Sequence, residues 1–220
     1  MIKKMLINLG KHVELVIIFI LILFFLAVLR DVHINEITFY DEMFMDIFVN
    51  MLRSDPLTYV MKFVTFLGSG YFLIFLCFLL LFLLKEKKYA YLSMINLMIV
   101  TILNILIKFI IKRPRPLDIN IIIEDGFSFP SGHSMISFAF YGFLMYIVYK
   151  NIGKKKISYL LYFIISILIL MIGISRIYLG VHYASDVLAG FIVSACYLIV
   201  YIVIIPKYIK RRKNSEKKEV

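Results

Sequence analysis

The 220-residue chain is 62% hydrophobic and only 18% charged, with a mean hydropathy of +0.93, whereas soluble domains sit at roughly 45–50% apolar. The excess falls in long blocks, which excludes an ordinary soluble domain and predicts an all-α, polytopic membrane protein forming a single domain over residues 1–220. The net charge of +11 does not imply a nucleic-acid partner, because the basic residues cluster at the ends of the apolar runs.

The first span is expected from about Val13 to Leu29, after Lys3, Lys4 and Lys11. No small-residue cleavage site follows it, so it reads as a retained span rather than a signal peptide. From Arg30 to Asp55 the chain turns polar, with Asp31, Glu36, Asp41, Glu42 and Asp46, and His33 reads as a loop residue. Within that segment Phe44, Ile47, Phe48, Met51 and Leu52 recur at helical spacing, which predicts an amphipathic helix at the interface between the first two spans.

Asp55-Pro56 is a helix-start signal. The apolar run to Leu84 is interrupted at Gly68-Ser69-Gly70. It fits one long tilted helix, or a short helix that breaks at the glycines before a span from Tyr71; the break is favoured. A third span runs from about Tyr89 to Ile111, a fourth from Ser131 to Tyr149, a fifth from Ile157 to Ile174 and a sixth from His182 to Ile205. The tail from about 207 is polar and expected to fray. Cys77 and Cys196 lie inside apolar runs and read as buried, inert thiols.

Basic clusters mark the N-terminus, Lys85–Lys88, Lys150–Lys156 and the tail, which are every second connection. The positive-inside rule makes that side cytoplasmic, both termini included. The chemistry-bearing connections then fall at the extracytoplasmic face.

Three stretches carry that chemistry. In the third span Lys108 lies a turn inside the apolar run, with Asn104 and Lys112 on nearly the same helical face; Arg113 and Arg115, held by Pro114 and Pro116, follow as a stiff cationic turn. Taken singly, each cation could be an interfacial anchor. In the stretch from Phe127 to Met135, Ser131 is a natural N-cap and Gly132 shapes the turn, so the helix start is an anion site, and His133 could protonate a leaving group. In the third, GISRIYLGVHYASD, His182 and Asp186 are four residues apart and share a face if the chain is helical there. Asp186 can then hold one ring nitrogen and leave the other nucleophilic, while the fork of Arg176 suits phosphate oxygens.

Together these residues resemble the type 2 phosphatidic-acid phosphatase superfamily. Its Lys-x6-Arg-Pro motif is matched by Lys108, Arg115 and Pro116, its Pro-Ser-Gly-His motif by Pro130, Ser131, Gly132 and His133, and its Ser-Arg-x5-His-x3-Asp motif by Ser175, Arg176, His182 and Asp186. The resemblance implies a six-helix membrane phosphatase working without a metal or other cofactor. It makes His182 the nucleophile, forming a phosphohistidine, with Asp186 orienting it and His133 protonating the leaving oxygen. Lys108, Arg115, Ser131, Gly132 and Arg176 would hold the phosphoryl group. Fixed cations can supply the charge stabilisation that a metal gives elsewhere.

Asp118, Glu124 and Asp125 lack a convincing metal-ligand spacing and read as a solvated loop. Ile119, Ile121, Ile122 and Ile123 could contact a lipid chain or pack on the bundle. The expected substrate is a lipid phosphomonoester or pyrophosphate: phosphatidic acid, phosphatidylglycerol phosphate or a polyprenyl pyrophosphate. Two alternatives stay open, a lipid phosphotransferase using the same site and an anion channel or transporter. The second is disfavoured by how few ionisable groups the inner halves of the spans carry.

Overall fold

The computed structural model describes residues 2–116 and 119–216, with side-chain surroundings described from 13 to 203 except at 117 and 118. Eight α-helices carry the described chain: α1 (Ile2–Asn35), α2 (Phe39–Met45), α3 (Asp55–Leu67), α4 (Gly70–Leu83), α5 (Lys87–Ile111), α6 (Gly132–Ile152), α7 (Lys156–Tyr178) and α8 (Ala184–Glu216). A π-helical turn, Asp46–Met51, extends α2.

Five helices are long and apolar enough to cross a bilayer, and six spans result if α3 and α4 count as one. At about 1.5 Å per residue, the 14 residues of α4 fall short of a hydrocarbon core about 30 Å thick. The pair is bent by 51° at the glycine break, the favoured sequence reading. Ser69 caps α4 by accepting from the Phe72 N–H. Gly68 lies where a Cβ would stand 2.5 Å from Ile172 of α7, so the break is where backbone meets the neighbouring helix.

α6 is the hub, packing against α5, α7 and α8, while α1 packs on α8. In lipid, where hydrocarbon tails compete with apolar side chains, small residues and interhelical hydrogen bonds hold such contacts. A Cβ at Gly142 would meet Leu198, and one at Gly190 would stand 3.0 Å from the Ser131 carbonyl oxygen. Ser194 donates to the Met135 carbonyl, Asn96 to that of Ala139 and Tyr141 to that of Leu67. Leu73, Cys77, Leu97, Phe140, Tyr141, Ile169 and Ile172 fill the space between α4, α5, α6 and α7.

Several boundaries move from those expected. α1 continues past Leu29, so His33 sits in its last turn rather than in a loop. The interfacial helix starts earlier than its apolar pattern, at a capping box in which Thr38 and Asp41 exchange side-chain and backbone hydrogen bonds. The tail expected to fray is helical to Glu216, since no glycine, and no proline beyond Pro206, interrupts it. The chain alternates direction through α5, α6, α7 and α8. The C-terminal ends of α5 and α7 therefore meet the N-terminal ends of α6 and α8 at one end of the bundle.

Candidate active site

That junction encloses a cavity of about 450 Å³ lined by Lys108 and Phe109 of α5, Arg115 and residues 124–127 of the following loop, Gly132 and His133 of α6, and His182. Residues far apart in sequence thus share one chamber, and the two imidazoles are both on its wall.

The helix starts explain how. Ser131 caps α6, its hydroxyl accepting from the Ser134 N–H and its own N–H donating to the Asp186 carbonyl. α6 and α8 are thereby joined where both begin. His182 lies in the turn before α8, so its spacing to Asp186 bridges a helix start rather than running along a helix. Asp186 receives the Tyr183 backbone N–H at 2.9 Å, the N3 half of a capping box. The same oxygen, Oδ2, lies 3.3 Å from His182 Nδ1. With Nδ1 protonated toward the carboxylate, Nε2 keeps its lone pair, and an Arg115 N–H occupies it at 3.1 Å.

Burial, and after it the positive charges of Arg176, Lys108 and Arg115, push the His182 pKa well below its ordinary value. The imidazole is accordingly neutral, the form a nucleophile needs. Arg115 is anchored besides by the carbonyls of Val181, Gly126 and Asp125. Lys108 donates to the carbonyls of Phe127 and Ser128.

Arg176 does not line the chamber. Its fully buried guanidinium donates to Thr65 and to the carboxylate of Glu124, and Glu124 does line it. The expectation that Glu124 belongs to a solvated loop is therefore wrong: a buried cation that needs a partner draws it inward. Its second oxygen lies 3.9 Å from Arg115. Asp125 also lines the chamber, and Asp118 lies outside the described residues. Among the described residues no cluster of three His, Cys, Asp or Glu side chains is placed to hold a metal. Ile121 and Ile122 pack against Met61, Tyr178, Leu179 and Val181, while Ile123 is 90% exposed.

A buried group that the sequence reading left out lies behind Asp186. Arg113, read as an interfacial cation, is buried and forms ion pairs with Asp186 at 2.7 Å and Asp41 of α2 at 2.8 Å. Burial works against its charge, but the carboxylates of Asp186 and Asp41 outweigh this and its pKa lies above the ordinary arginine value. The spacing Thr38-x-x-Asp41, a capping-box signature, was the available signal that Asp41 is structurally committed.

The chain is similar in sequence and fold to known proteins. Residues 88–210 match the PAP2 superfamily. Over 175 residues the chain is 34% identical to phosphatidylglycerophosphatase B of Bacillus subtilis (strain 168), a match covering 78% of this chain and 86% of that protein. A crystal structure of a transmembrane PAP2-type phosphatidylglycerolphosphate phosphatase from Bacillus subtilis aligns with a TM-score of 0.79 at 31% identity, over 86% of this chain and 96% of the other. The crystal structure of Aquifex aeolicus LpxE aligns with a TM-score of 0.61 at 28% identity, over 73% and 93%.

Proposed function

The chain belongs to the PAP2 superfamily and is a multi-pass membrane phosphatase, and from that premise we propose that it hydrolyses a lipid phosphate through a phosphohistidine on His182. Phosphatidylglycerol phosphate is the first candidate substrate, because two relatives that align with most of this chain are named for it. Phosphatidic acid, with the same phosphomonoester, and polyprenyl pyrophosphates, which present the same terminal phosphoryl group on a phosphoanhydride with a lipid monophosphate as leaving group, come next. The observation that carries the reading is the shared chamber, in which His182, its Nδ1 engaged by Asp186, faces the same space as His133, Lys108 and Arg115.

In this mechanism a phosphoryl group entering the chamber takes over the Arg115 N–H now spent on Nε2 and accepts further from Lys108 and the α6 N-terminus at Gly132. Ser131, expected to share that role, does not line the chamber and has its N–H on the Asp186 carbonyl. The Nε2 lone pair forms the nitrogen–phosphorus bond as the bond to the lipid oxygen breaks, and His133 gives that oxygen its proton. The ring becomes cationic, and Asp186 stabilises it across Nδ1. Water, deprotonated by His133, then attacks phosphorus and returns the electron pair to Nε2, releasing inorganic phosphate. Arg176 acts on the phosphoryl oxygens once the incoming anion competes with Glu124 for it. Ile105, Phe109 and Phe127 give the chamber an apolar side suited to the start of a lipid tail.

The test is phosphate release by purified protein over a panel of lipid monophosphates and pyrophosphates, in excess EDTA and without added acceptor. Release is expected from at least one lipid, and His182→Ala is expected to abolish it while the variant still purifies as a folded membrane protein. Full activity in His182→Ala removes the nucleophile assignment. Turnover only with an added alcohol acceptor makes the protein a phosphotransferase, and complete loss in EDTA restored by magnesium overturns metal independence.

A further inference from the structure

The nucleophile's partner has a partner of its own, and it comes from the interfacial helix α2. Arg113 spreads four of its five N–H groups over two carboxylates, a hydroxyl and a carbonyl. One terminal nitrogen donates to Asp186 Oδ1 and to Ser185 Oγ, both at 2.7 Å, and the other to Asp41 Oδ2 at 2.8 Å and to the Glu36 carbonyl at 2.6 Å. Tyr183 covers its flat face, 4.1 Å from the ring centroid. Asp41 also receives the Ser185 N–H and hydroxyl, each at 2.8 Å, so it caps the start of α8 from outside that helix. Arg113, Asp41 and Asp186 are all buried.

We propose that Asp41 and Arg113 are positioning residues for the His182–Asp186 pair, and this rests on His182 being the nucleophile. Two geometric consequences support the assignment. Arg113 takes Oδ1 of Asp186, which fixes the rotation of that carboxylate and leaves Oδ2 for His182 Nδ1 and the Tyr183 N–H. Asp41 in turn shares the guanidinium charge. Two carboxylates face one cation, so the buried group keeps one net negative charge to meet the positive charge that appears on the ring when phosphorus is bound. Without Asp41, Arg113 would neutralise Asp186 alone, and that complement would vanish. Lysine could not reproduce the fork, since a point charge cannot hold two carboxylates at fixed angles. Outer partners that orient a working histidine are typically worth about 10–100-fold in the metal sites where they have been varied.

The experiment measures kcat and KM for phosphate release from short-chain phosphatidic acid and phosphatidylglycerol phosphate by the full chain in detergent. It uses Asp41→Asn, Arg113→Lys, Arg113→Gln, Asp186→Asn and the Asp41→Asn/Asp186→Asn double variant. Asp41→Asn is expected to lower kcat about 10–100-fold with KM unchanged. Arg113→Lys should retain more turnover than Arg113→Gln, and adding Asp41→Asn to Asp186→Asn should cost nothing further, because the path runs through Asp186. Wild-type kcat in Asp41→Asn, or equal and additive losses in the double variant, overturns the proposal. If Asp41→Asn does not fold, Arg113→Lys decides alone, through reduced kcat at constant KM or an unchanged kcat. An inactive wild type, or an active His182→Ala, refutes the underlying reading instead, so the two failures are distinguishable.

Discussion

The Arg115 N–H lies 3.1 Å from His182 Nε2, so in the proposed mechanism one guanidinium is both a brake on the nucleophile and a seat for the phosphate, and the two roles separate in a pH profile. The His182 pKa is held down by burial first and then by Arg176, Lys108 and Arg115. A depressed value keeps the ring neutral to lower pH, so the acid limb of kcat/KM assigned to His182 lies below about 6.5, the ordinary imidazole value. Removing one of the positive charges raises that pKa, and Arg115→Gln is therefore expected to lower kcat/KM while moving the limb to higher pH by about one unit. Substrate ionisation contributes equally to both profiles and cancels in the difference. A limb that stays in place, or moves to lower pH, shows that the Arg115 charge does not act on His182. At this scale the sequence disclosed those residues whose roles follow from local spacing: His182 with Asp186, and Ser131 at a helix start. It concealed the partners of Arg113, Asp41 and Glu124, because an arginine and two carboxylates outside the long apolar runs look solvated until chain segments dozens of residues away remove the water. The pairs Arg113–Asp41 and Arg176–Glu124 are 72 and 52 residues apart, and no local pattern encodes either.

Helices were legible wherever an apolar run ended in a charge or a helix breaker, and their ends were misjudged wherever tertiary contacts carried the helix on. α1 runs on to Asn35, past the polar residues that suggested an earlier stop, because Val32 is buried against Phe129 and Ala189 and stabilises the added turn. The glycine break between α3 and α4 was readable, since Gly68 and Ser69 have separate jobs as the end of one helix and the cap of the next. Gly180 matters differently. It adopts φ +74°, and a Cβ there would collide with the Ile119 carbonyl oxygen, beside the Ile121 N–H donating to the Leu179 carbonyl. This contact fastens the loop that bears Arg115 and Glu124 to the turn that bears His182. Gly180→Ala combines left-handed strain of about 1–3 kcal/mol with a clash against backbone that cannot rotate away. A lower melting temperature in detergent is expected together with a reduced kcat/KM, whereas Gly153→Ala is the control: it shares the positive φ, has nothing within 4 Å and lies at the opposite end of α6. Equal effects at the two glycines would show that strain alone, and not the loop contact, sets the loss.

At the scale of the whole molecule, the alternation of helix direction gathers the candidate site at one end of the bundle. The site collects at the end of α5, the start of α6, the end of α7 and the start of α8. The opposite ends of α5, α6 and α7 carry Lys85, Lys87 and Lys88 and then Lys150, Lys154, Lys155 and Lys156. Short connections rich in lysine stay in the cytoplasm, and on that rule we propose that the chamber opens toward the extracytoplasmic leaflet, where a lipid can present its phosphate with its tail still in the hydrocarbon. Ile123 is the residue to probe this, being 90% exposed on the loop beside the chamber, whereas Glu124 next to it is committed to Arg176. A cysteine at Ile123 is expected to react with a membrane-impermeant maleimide on intact cells. One at Lys87 should react only after permeabilisation. The native thiols give little background, because Cys77 is buried and Cys196 half-buried within membrane-spanning helices. The reverse pattern of labelling would put the chamber on the cytoplasmic side and force the substrate to be drawn from the inner leaflet, leaving the chemistry at His182 untouched but inverting the direction in which phosphate is released.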